Sequence, residues 1–152
     1  MLQNKDQVID RNKDCIAIDS NIFRNSDLIN YLTLNKSEIN IFIPTIVQLE
    51  VGYYYITRGI SWEDFEEDIQ KFNGIFLQWD NKCIPEVVKW AYDERTYLPF
   101  RHHFRDFLIG VECEKISTNL ISYNKNHFTW LKGIKCYTPE EYLYEKLTQN
   151  EI

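Results

Sequence analysis

Three acidic residues lie in surroundings that do not favour a charged side chain. Asp19 directly follows the apolar residues 15–18, a run typical of a strand buried on both faces. Glu50 and Asp106 each lie on the apolar face of a predicted helix. The neighbours on that face are Ile46, Val47, Tyr53 and Tyr54 for Glu50, and Ile109, Gly110, Cys113 and Ile116 for Asp106. A buried carboxylate must be neutralised, paired with a cation or bound to a metal. The three residues are therefore candidates for one metal site.

Each carboxylate also has a simpler interpretation. Asp19 can cap the N-terminus of the following helix, which is a common role of Asp. Glu50 can form an ion pair with an Arg or a Lys, and Asp106 can interact with the dipole at the N-terminus of its own helix. Residue type and spacing leave these alternatives open.

Short apolar strands alternate with amphipathic helices along the chain. The predicted strands are residues 15–18, 39–43, 75–79, 120–122 and 134–137, and the predicted helices are residues 21–34, 45–57, 61–72, 81–97, 104–117 and 139–147. Residues 98–103 are predicted to form a loop, because Pro99 interrupts the helical pattern. The alternation predicts an α/β fold: a three-layer α/β/α sandwich around a central, mainly parallel sheet of about five strands.

This topology gives the three carboxylates a common location. In parallel α/β sheets, the carboxyl ends of the strands meet the starts of the following helices along one edge, where ligands bind. Asp19 is placed at that edge by its strand, and Glu50 and Asp106 can reach it from their helices. Oxygen ligands without His or Cys suit Mg²⁺ or Mn²⁺, which activate water and stabilise charge on a phosphodiester. Hydrolysis of a nucleic-acid backbone is the predicted reaction.

Size and composition are those of one ordinary domain. The 152 residues predict a flexible lead-in at residues 1–14 and a single domain at residues 15–152. The sequence has no membrane-length apolar stretch and no signal-peptide pattern, which favours a cytoplasmic location without membrane contact. Its four cysteines show no metal or redox spacing. The net charge of −6 opposes long-range attraction to nucleic acid, although it does not exclude a local basic patch.

Four segments together resemble the motifs of PIN-domain ribonucleases, the family that includes VapC-type toxins. Ile-Asp-Ser-Asn at residues 18–21 is similar to the first motif, typically Asp-Thr-Asn, and residues 43–50 are similar to the second. Residues 106–110 are similar to the third motif. Residues 120–128 are close to the ending Leu-x-Thr-x-(Asp or Asn)-x-x-x-Phe. The order and spacing carry the resemblance from about residue 15 to residue 143.

The resemblance implies an Mg²⁺- or Mn²⁺-dependent endoribonuclease, and it points to an antitoxin protein as a partner. The catalytic and metal-binding residues that it implies are Asp19, Glu50 and Asp106. Asn21 and Ser122 would orient the site through hydrogen bonds. Asn124 stands where many members have a fourth acid, so a second metal would bind weakly. The number of ions therefore stays open.

A basic and aromatic cluster next to Asp106 is the candidate RNA contact. Phosphate binding is assigned to Arg101, His102, His103 and Arg105, which alternate with aromatic residues suited to base stacking, Phe100 and Phe104. The alternative is a solvated loop with two core aromatics.

Two further side-chain groups have predicted roles outside this cluster. His127 is interpreted as a structural side chain beside Phe128 and not as a metal ligand. The acidic helix at residues 61–72, together with Tyr53, Tyr54 and Tyr55, is a candidate surface for a homodimer or an antitoxin.

Two other functions fit parts of the sequence. A phosphotransferase with a nucleophilic Asp after its first strand usually has a second Asp two residues later, where this chain has Asn21. A PIN-like module that binds RNA or protein without cleavage would fit Asn124 and the acidic net charge. Such a binding module differs from an enzyme in function, and the absence of any cleavage activity would distinguish it.

Overall fold

Five parallel strands form the centre of the protein. The structure is a computed structural model that describes residues 9–149. Its strands are β1 Asp14–Ile18, β2 Ile39–Ile43, β3 Ile75–Phe76, β4 Asn119–Ile121 and β5 Cys136–Tyr137. Their order across the sheet is β3-β2-β1-β4-β5, and each neighbouring pair is parallel.

Helices connect the strands, as parallel pairing requires. Within residues 9–149 the α-helices are α1 Ser26–Leu34, α2 Thr45–Thr57, α3 Trp62–Gln70, α4 Ile84–Asp93, α5 Phe100–Lys115 and α6 Pro139–Gln149. Three short 3-10 turns lie at Ser20–Arg24, Asn81–Cys83 and Lys125–Phe128. The predicted three-layer α/β/α architecture with a parallel sheet of five strands is confirmed.

The core is built around the central strand β1 and its neighbour β2. All five residues of β2 are buried, and Ile16, Ala17 and Ile18 of β1 have no exposed surface. Continuous apolar strands of this kind are stable only when both faces of the sheet are covered. Because β1 is deeply buried, it holds the residue that follows it, Asp19, in a fixed position.

Helix α5 approaches the segment after β4 very closely. A Cβ atom added at Gly110 would lie 2.5 Å from the ring of Trp130, a distance that only glycine permits without displacement of the indole. Trp130 is buried, and its indole N–H donates to the His127 carbonyl oxygen at 2.8 Å. Packing at Gly110 therefore sets the position of His127 relative to α5.

The predicted loop at residues 98–103 is wrong from Phe100 onward. Helix α5 begins at Phe100, with Pro99 as its N-cap residue. Proline suits the start of a helix because its missing N–H would have no intrahelical acceptor there. The interruption at Pro99 marks the beginning of α5, so that Arg101, His102 and His103 are helical.

Several other boundaries differ from the predicted ones. The helix predicted from residue 21 is divided by Asn25, whose side chain accepts a hydrogen bond from the Leu28 N–H at 2.9 Å and caps α1. Strands β3 and β5 are two residues long, shorter than expected. Strand β1 already begins at Asp14, and Ile9 packs against the core. The earlier part of the predicted lead-in, residues 1–8, lies outside the described residues.

Local signals at helix ends match the structure more closely. Ser61 and Asp64 form the expected capping box of α3, and Asp80 caps the turn Asn81–Cys83. Gly59, just after α2, has the positive φ of 74° that ends many helices. None of the helices in residues 9–149 has the length and apolar character needed to span a bilayer. The four cysteines, all within this range, are free.

Candidate active site

Asp19 lies at the carboxyl edge of the sheet, fully buried between β1 and β4. Its backbone N–H donates to the Ile121 carbonyl oxygen at 3.0 Å, which continues the pairing of the two strands. Its Oδ1 accepts from the Ser20 N–H at 2.7 Å, so the expected capping role is present. Its Oδ2 accepts from the Ser122 hydroxyl at 2.7 Å. Both oxygens are thereby fixed, and Oδ1 remains directed at the neighbouring elements.

Glu50 reaches the same edge from α2. Its side chain is 33% exposed, and it forms a bidentate ion pair with Arg105. The two contacts are Nη2 to Oε1 at 2.7 Å and Nε to Oε2 at 3.0 Å. The alternative that Glu50 pairs with an arginine is therefore what the structure contains, and the arginine is one that was predicted to contact RNA.

Asp106 completes the group from α5. Its side chain is almost fully buried, in the second turn of the helix and beyond the first-turn position at which the helix dipole would stabilise it. Its Oδ1 accepts from Arg105 Nη1 at 2.7 Å. Arg105 Nη2 also contacts Asp19 Oδ1 at 2.7 Å. One guanidinium therefore joins all three predicted carboxylates.

The charges of this group do not cancel. Burial lowers the pKa of Arg105, but its hydrogen bond to Glu50 and the nearby charge of Asp19 raise it by more, so the net pKa is above the usual range. The guanidinium is cationic at every physiological pH and offsets only one of the three carboxylates. A negative excess remains at the edge of the sheet, where a divalent cation would be attracted.

The donor set fits a hard divalent cation. Arg105 Nη2 lies 2.7 Å from one oxygen each of Asp19 and Glu50 and 3.3 Å from the Ser20 hydroxyl. These oxygens already surround a positive group, and carboxylate oxygens are the ligands that Mg²⁺ and Mn²⁺ prefer. An ion that uses the same oxygens requires the Arg105 side chain to move outward, where 22% of it is exposed.

The predicted orienting residues have different surroundings. Ser122 is buried and holds Asp19, while Asn124 donates its backbone N–H to the Ser122 hydroxyl at 3.0 Å. The Asn124 side chain is exposed and does not cap the turn that follows. Asn21 lines a cavity of about 520 Å³ beside Glu50. Its Oδ1 is buried and has no hydrogen-bond partner among residues 9–149.

The four residues assigned to RNA divide into two pairs. Arg101 and His102 are exposed in the first turn of α5 and stay candidates for phosphate contact. His103 and Arg105 are half-buried and contact acidic residues of the site. Their roles as phosphate ligands remain predictions, whereas their contacts with Asp106 are present in the structure.

The sequence-based predictions do not include a contact of two histidines with Asp106. His103 Nδ1 and His127 Nδ1 each lie 3.2 Å from Asp106 Oδ2. The spacing of three residues between His103 and Asp106 signals the first contact once residues 100–106 are recognised as helical. The second contact joins α5 to the turn Lys125–Phe128 and has no signal in local spacing. His127 thus has an acidic partner that its predicted structural role did not include.

The architecture and the acidic edge together define a PIN-like protein fold. A chain in the crystal structure of VapBC2 from Rickettsia felis bound to a DNA fragment from their promoter is similar, with a TM-score of 0.58 and 17% identity, over 82% of this chain and 98% of that chain. A chain of a toxin–antitoxin complex from Klebsiella pneumoniae matches with a TM-score of 0.53 and 16% identity, over 82% and 97% of the two chains. No protein-family model and no curated sequence matches this chain. The structural likeness shows a shared fold and agrees with the resemblance read from the motifs.

Proposed function

We propose that this protein is a divalent-metal-dependent endoribonuclease. The observation that carries the proposal is the meeting of Asp19, Glu50 and Asp106 at a single cationic group. Three carboxylates from three different elements converge at the carboxyl edge of a parallel sheet, which is where ligands bind in such folds. The likeness to the two toxin–antitoxin structures supports a nuclease of this general class.

Within this proposal, the side chains of the site have separate tasks. Asp19, Glu50 and Asp106 would hold the Mg²⁺ or Mn²⁺ ion, which supplies an activated water and stabilises charge on the phosphate. Ser122 keeps Asp19 Oδ2 engaged, so that Oδ1 keeps one orientation. Asn21 would orient the site through its amide, whose Oδ1 is buried and has no partner among residues 9–149.

RNA is the proposed substrate because basic and aromatic groups flank the acidic site. Arg101 and His102 are exposed on the first turn of α5, and the rings of Phe100 and Phe104 lie 6.1 Å apart on the same helix. Phe100 is 55% exposed and Phe104 is 45% exposed, which makes both available for stacking. Action on RNA would place the protein in the cytoplasm.

A protein partner is part of the proposal. The two similar structures described above come from toxin–antitoxin assemblies. Helix α2 exposes a row of large apolar side chains that a partner would cover: Leu49, Tyr53, Tyr54 and Ile56. We favour an antitoxin as the occupant, and a second copy of this chain is the alternative.

A binding module without catalysis is the competing function, and one observation favours it. Arg105 already neutralises part of the acidic cluster, as a permanent replacement for a metal would. Cleavage assays separate the two. The purified protein is expected to cut RNA with Mn²⁺ or Mg²⁺ and to stop on addition of EDTA.

The Asp19→Asn variant tests the role of the site directly. It keeps the size of the side chain but removes one ligand charge, so cleavage should fall by about 100-fold or more, while RNA binding persists. Asp27→Asn, at an exposed position in the first turn of α1, is the matched control and should retain activity. Wild-type protein that cuts none of several RNAs with either ion would exclude the enzyme.

A further inference from the structure

A second group of possible ligands lies on the far side of Asp106. His103, Asp106 and His127 each offer one ligand atom, and these atoms lie within 4.8 Å of one another. Asp106 separates this group from the acidic cluster, because its Oδ1 contacts Arg105 while its Oδ2 faces the two imidazoles. The two oxygens of one carboxylate therefore serve two different neighbourhoods.

The two nitrogen–oxygen distances in the group match those of a small metal site. Each Nδ1 lies 3.2 Å from Asp106 Oδ2. A tetrahedral ion with bonds of about 2.0–2.1 Å requires ligand atoms roughly 3.3 Å apart. The two imidazole rings meet edge to face, with centroids 4.6 Å apart and an angle of 82°, so that both can direct a nitrogen toward the same side of Asp106.

Hydrogen bonding within the chain accounts for only half of this arrangement, because His103 Nδ1 is hydrogen-bonded to Asp106 Oδ2 at 3.2 Å and His127 Nδ1 is not. His127 Nδ1 is buried, and among residues 9–149 it finds no acceptor or donor with hydrogen-bond geometry, although Asp106 Oδ2 is near. The backbone of His127 is fixed, because its N–H donates to the Asn124 carbonyl and the Trp130 indole donates to its carbonyl. A buried imidazole nitrogen without a hydrogen-bond partner is suited to an ion as its ligand.

The two histidines of the group also border a cleft. His103 and His127 lie at the wall of a cleft of about 570 Å³, together with Glu94, Tyr97 and Asn126. Three protein ligands beside a cleft leave the fourth position open to water or to an oxygen of a bound molecule. This is the arrangement of ligands found in reactive metal sites, whereas closed sites have four protein ligands.

We propose that His103, Asp106 and His127 bind a late first-row divalent ion such as Zn²⁺. Imidazole nitrogen favours these ions over Mg²⁺, so this site differs in selectivity from the carboxylate cluster. The ion would share the Asp106 carboxylate with the acidic cluster. It would also supply a second cation, for which the neutral Asn124 is a weaker ligand than a carboxylate. Binding at this site goes beyond the proposed ribonuclease function and does not depend on it.

Co²⁺ alone is a suitable probe, because four- or five-coordinate Co²⁺ with imidazole ligands absorbs visible light. We expect wild-type protein and the Asp19→Asn/Glu50→Gln variant both to bind one Co²⁺ with this absorption. His103→Gln or His127→Gln should lose the absorption and weaken Co²⁺ binding by about 10-fold or more. His102→Gln, at the exposed neighbouring position, is the matched control.

The outcomes are separable from those of the cleavage assay. Unchanged Co²⁺ absorption in folded His103→Gln and His127→Gln proteins, or none in wild type at millimolar Co²⁺, overturns the site even if RNA is cut. Should the variants fail to fold by circular dichroism, X-ray absorption of Zn²⁺-loaded wild type decides the question. Two imidazole ligands would support the site, and an oxygen-only shell would overturn it.

Discussion

Arg105 is the residue that most affects how the acidic cluster can work. It uses Nε, Nη1 and Nη2 to contact three carboxylates on three elements. A guanidinium in this position stabilises the cluster without metal and competes with any ion for the same oxygens. Loss of the arginine would leave three carboxylates close together without a compensating charge. Removing one partner of a buried ion pair in this way is destabilising.

Substitution of Arg105 by Gln should therefore have opposite effects on stability and on metal binding. Without metal, the free energy of unfolding should fall by about 1–3 kcal/mol, because the three carboxylates then repel one another. Added Mn²⁺ should recover the loss, and its affinity should be higher than for wild type. Urea unfolding with and without Mn²⁺, together with calorimetric titration, measures both effects.

The exposed Arg101→Gln variant on the same helix is the control for the loss of one positive charge. Lower Mn²⁺ affinity in Arg105→Gln would contradict competition between arginine and ion. It would show instead that Arg105 arranges the carboxylates for the metal.

At the scale of single residues, the sequence identified the acids but not the groups that face them. Asp19, Glu50 and Asp106 could be found because a carboxylate among apolar neighbours is conspicuous at helix or strand spacing. Arg105 is assigned to RNA, and His127 to packing, because Asp19 and Glu50, which contact Arg105, and Asp106, which lies beside His127, are on other elements. Contacts between elements depend on packing geometry, which local spacing does not contain.

At the scale of elements, α5 supplies a cap for α2. Pro44, the N-cap residue of α2, has no polar side chain to offer. Glu112 of α5 replaces it, since its Oε1 accepts from the Thr45 N–H at 2.6 Å and its Oε2 from the Thr45 hydroxyl at 2.7 Å. The carboxylate also faces the positive end of the α2 dipole. This contact fixes α2, and with it Glu50, against the helix that carries Asp106.

The pKa of Glu112 predicts a pH effect on this contact. Burial raises the pKa of Glu112 above its usual value, although the two hydrogen bonds from Thr45 lower it. The folded state therefore binds the proton more tightly than the unfolded state. Stability from this residue is greatest below the unfolded pKa of about 4.3 and declines as pH rises through the higher folded pKa.

Substitution of Glu112 by Gln should remove that decline. The variant keeps an acceptor for the Thr45 N–H, and its amide can donate to the Thr45 hydroxyl. Relative to wild type, it should become more stable as pH rises from about 4 to about 7, as measured by urea unfolding. Glu67→Gln, at an exposed position of α3, is the matched control. A loss of stability in the variant that grows as pH rises would mean that the ionised carboxylate is required for the cap.

The element boundaries show where sequence patterns are sufficient. The bounds of β2 and α2 coincide with the predicted ones, because an apolar strand, a proline and a C-terminal glycine define them locally. Strands β3 and β5 are shorter than their apolar runs, since each pairs with a neighbour over only two residues. The predicted start of α5 is wrong because a proline within a helical pattern can begin a helix as well as interrupt one, and Pro99 begins α5.

At the scale of the whole molecule, the net charge of −6 and the proposed RNA substrate act against each other. Long-range repulsion reduces the rate of encounter with a polyanion, whereas short-range phosphate contacts determine affinity once RNA is bound. Arg101 lies on the first turn of α5, near the acidic edge of the sheet. Lys36 lies between α1 and β2, at the opposite edge of the sheet, and is exposed like Arg101.

These two residues allow local charge to be separated from total charge. Arg101→Glu and Lys36→Glu change the net charge by the same amount, and both can be made in an Asp19→Asn background to prevent cleavage. Arg101→Glu should weaken RNA binding several-fold, with a smaller dependence of affinity on salt, because one phosphate contact is lost. Lys36→Glu should leave affinity nearly unchanged at physiological salt, where charges more than about 8 Å from the RNA are screened. Fluorescence anisotropy across a range of salt concentrations measures both quantities, and equal losses in the two variants would show that RNA responds to total charge and not to a site on α5.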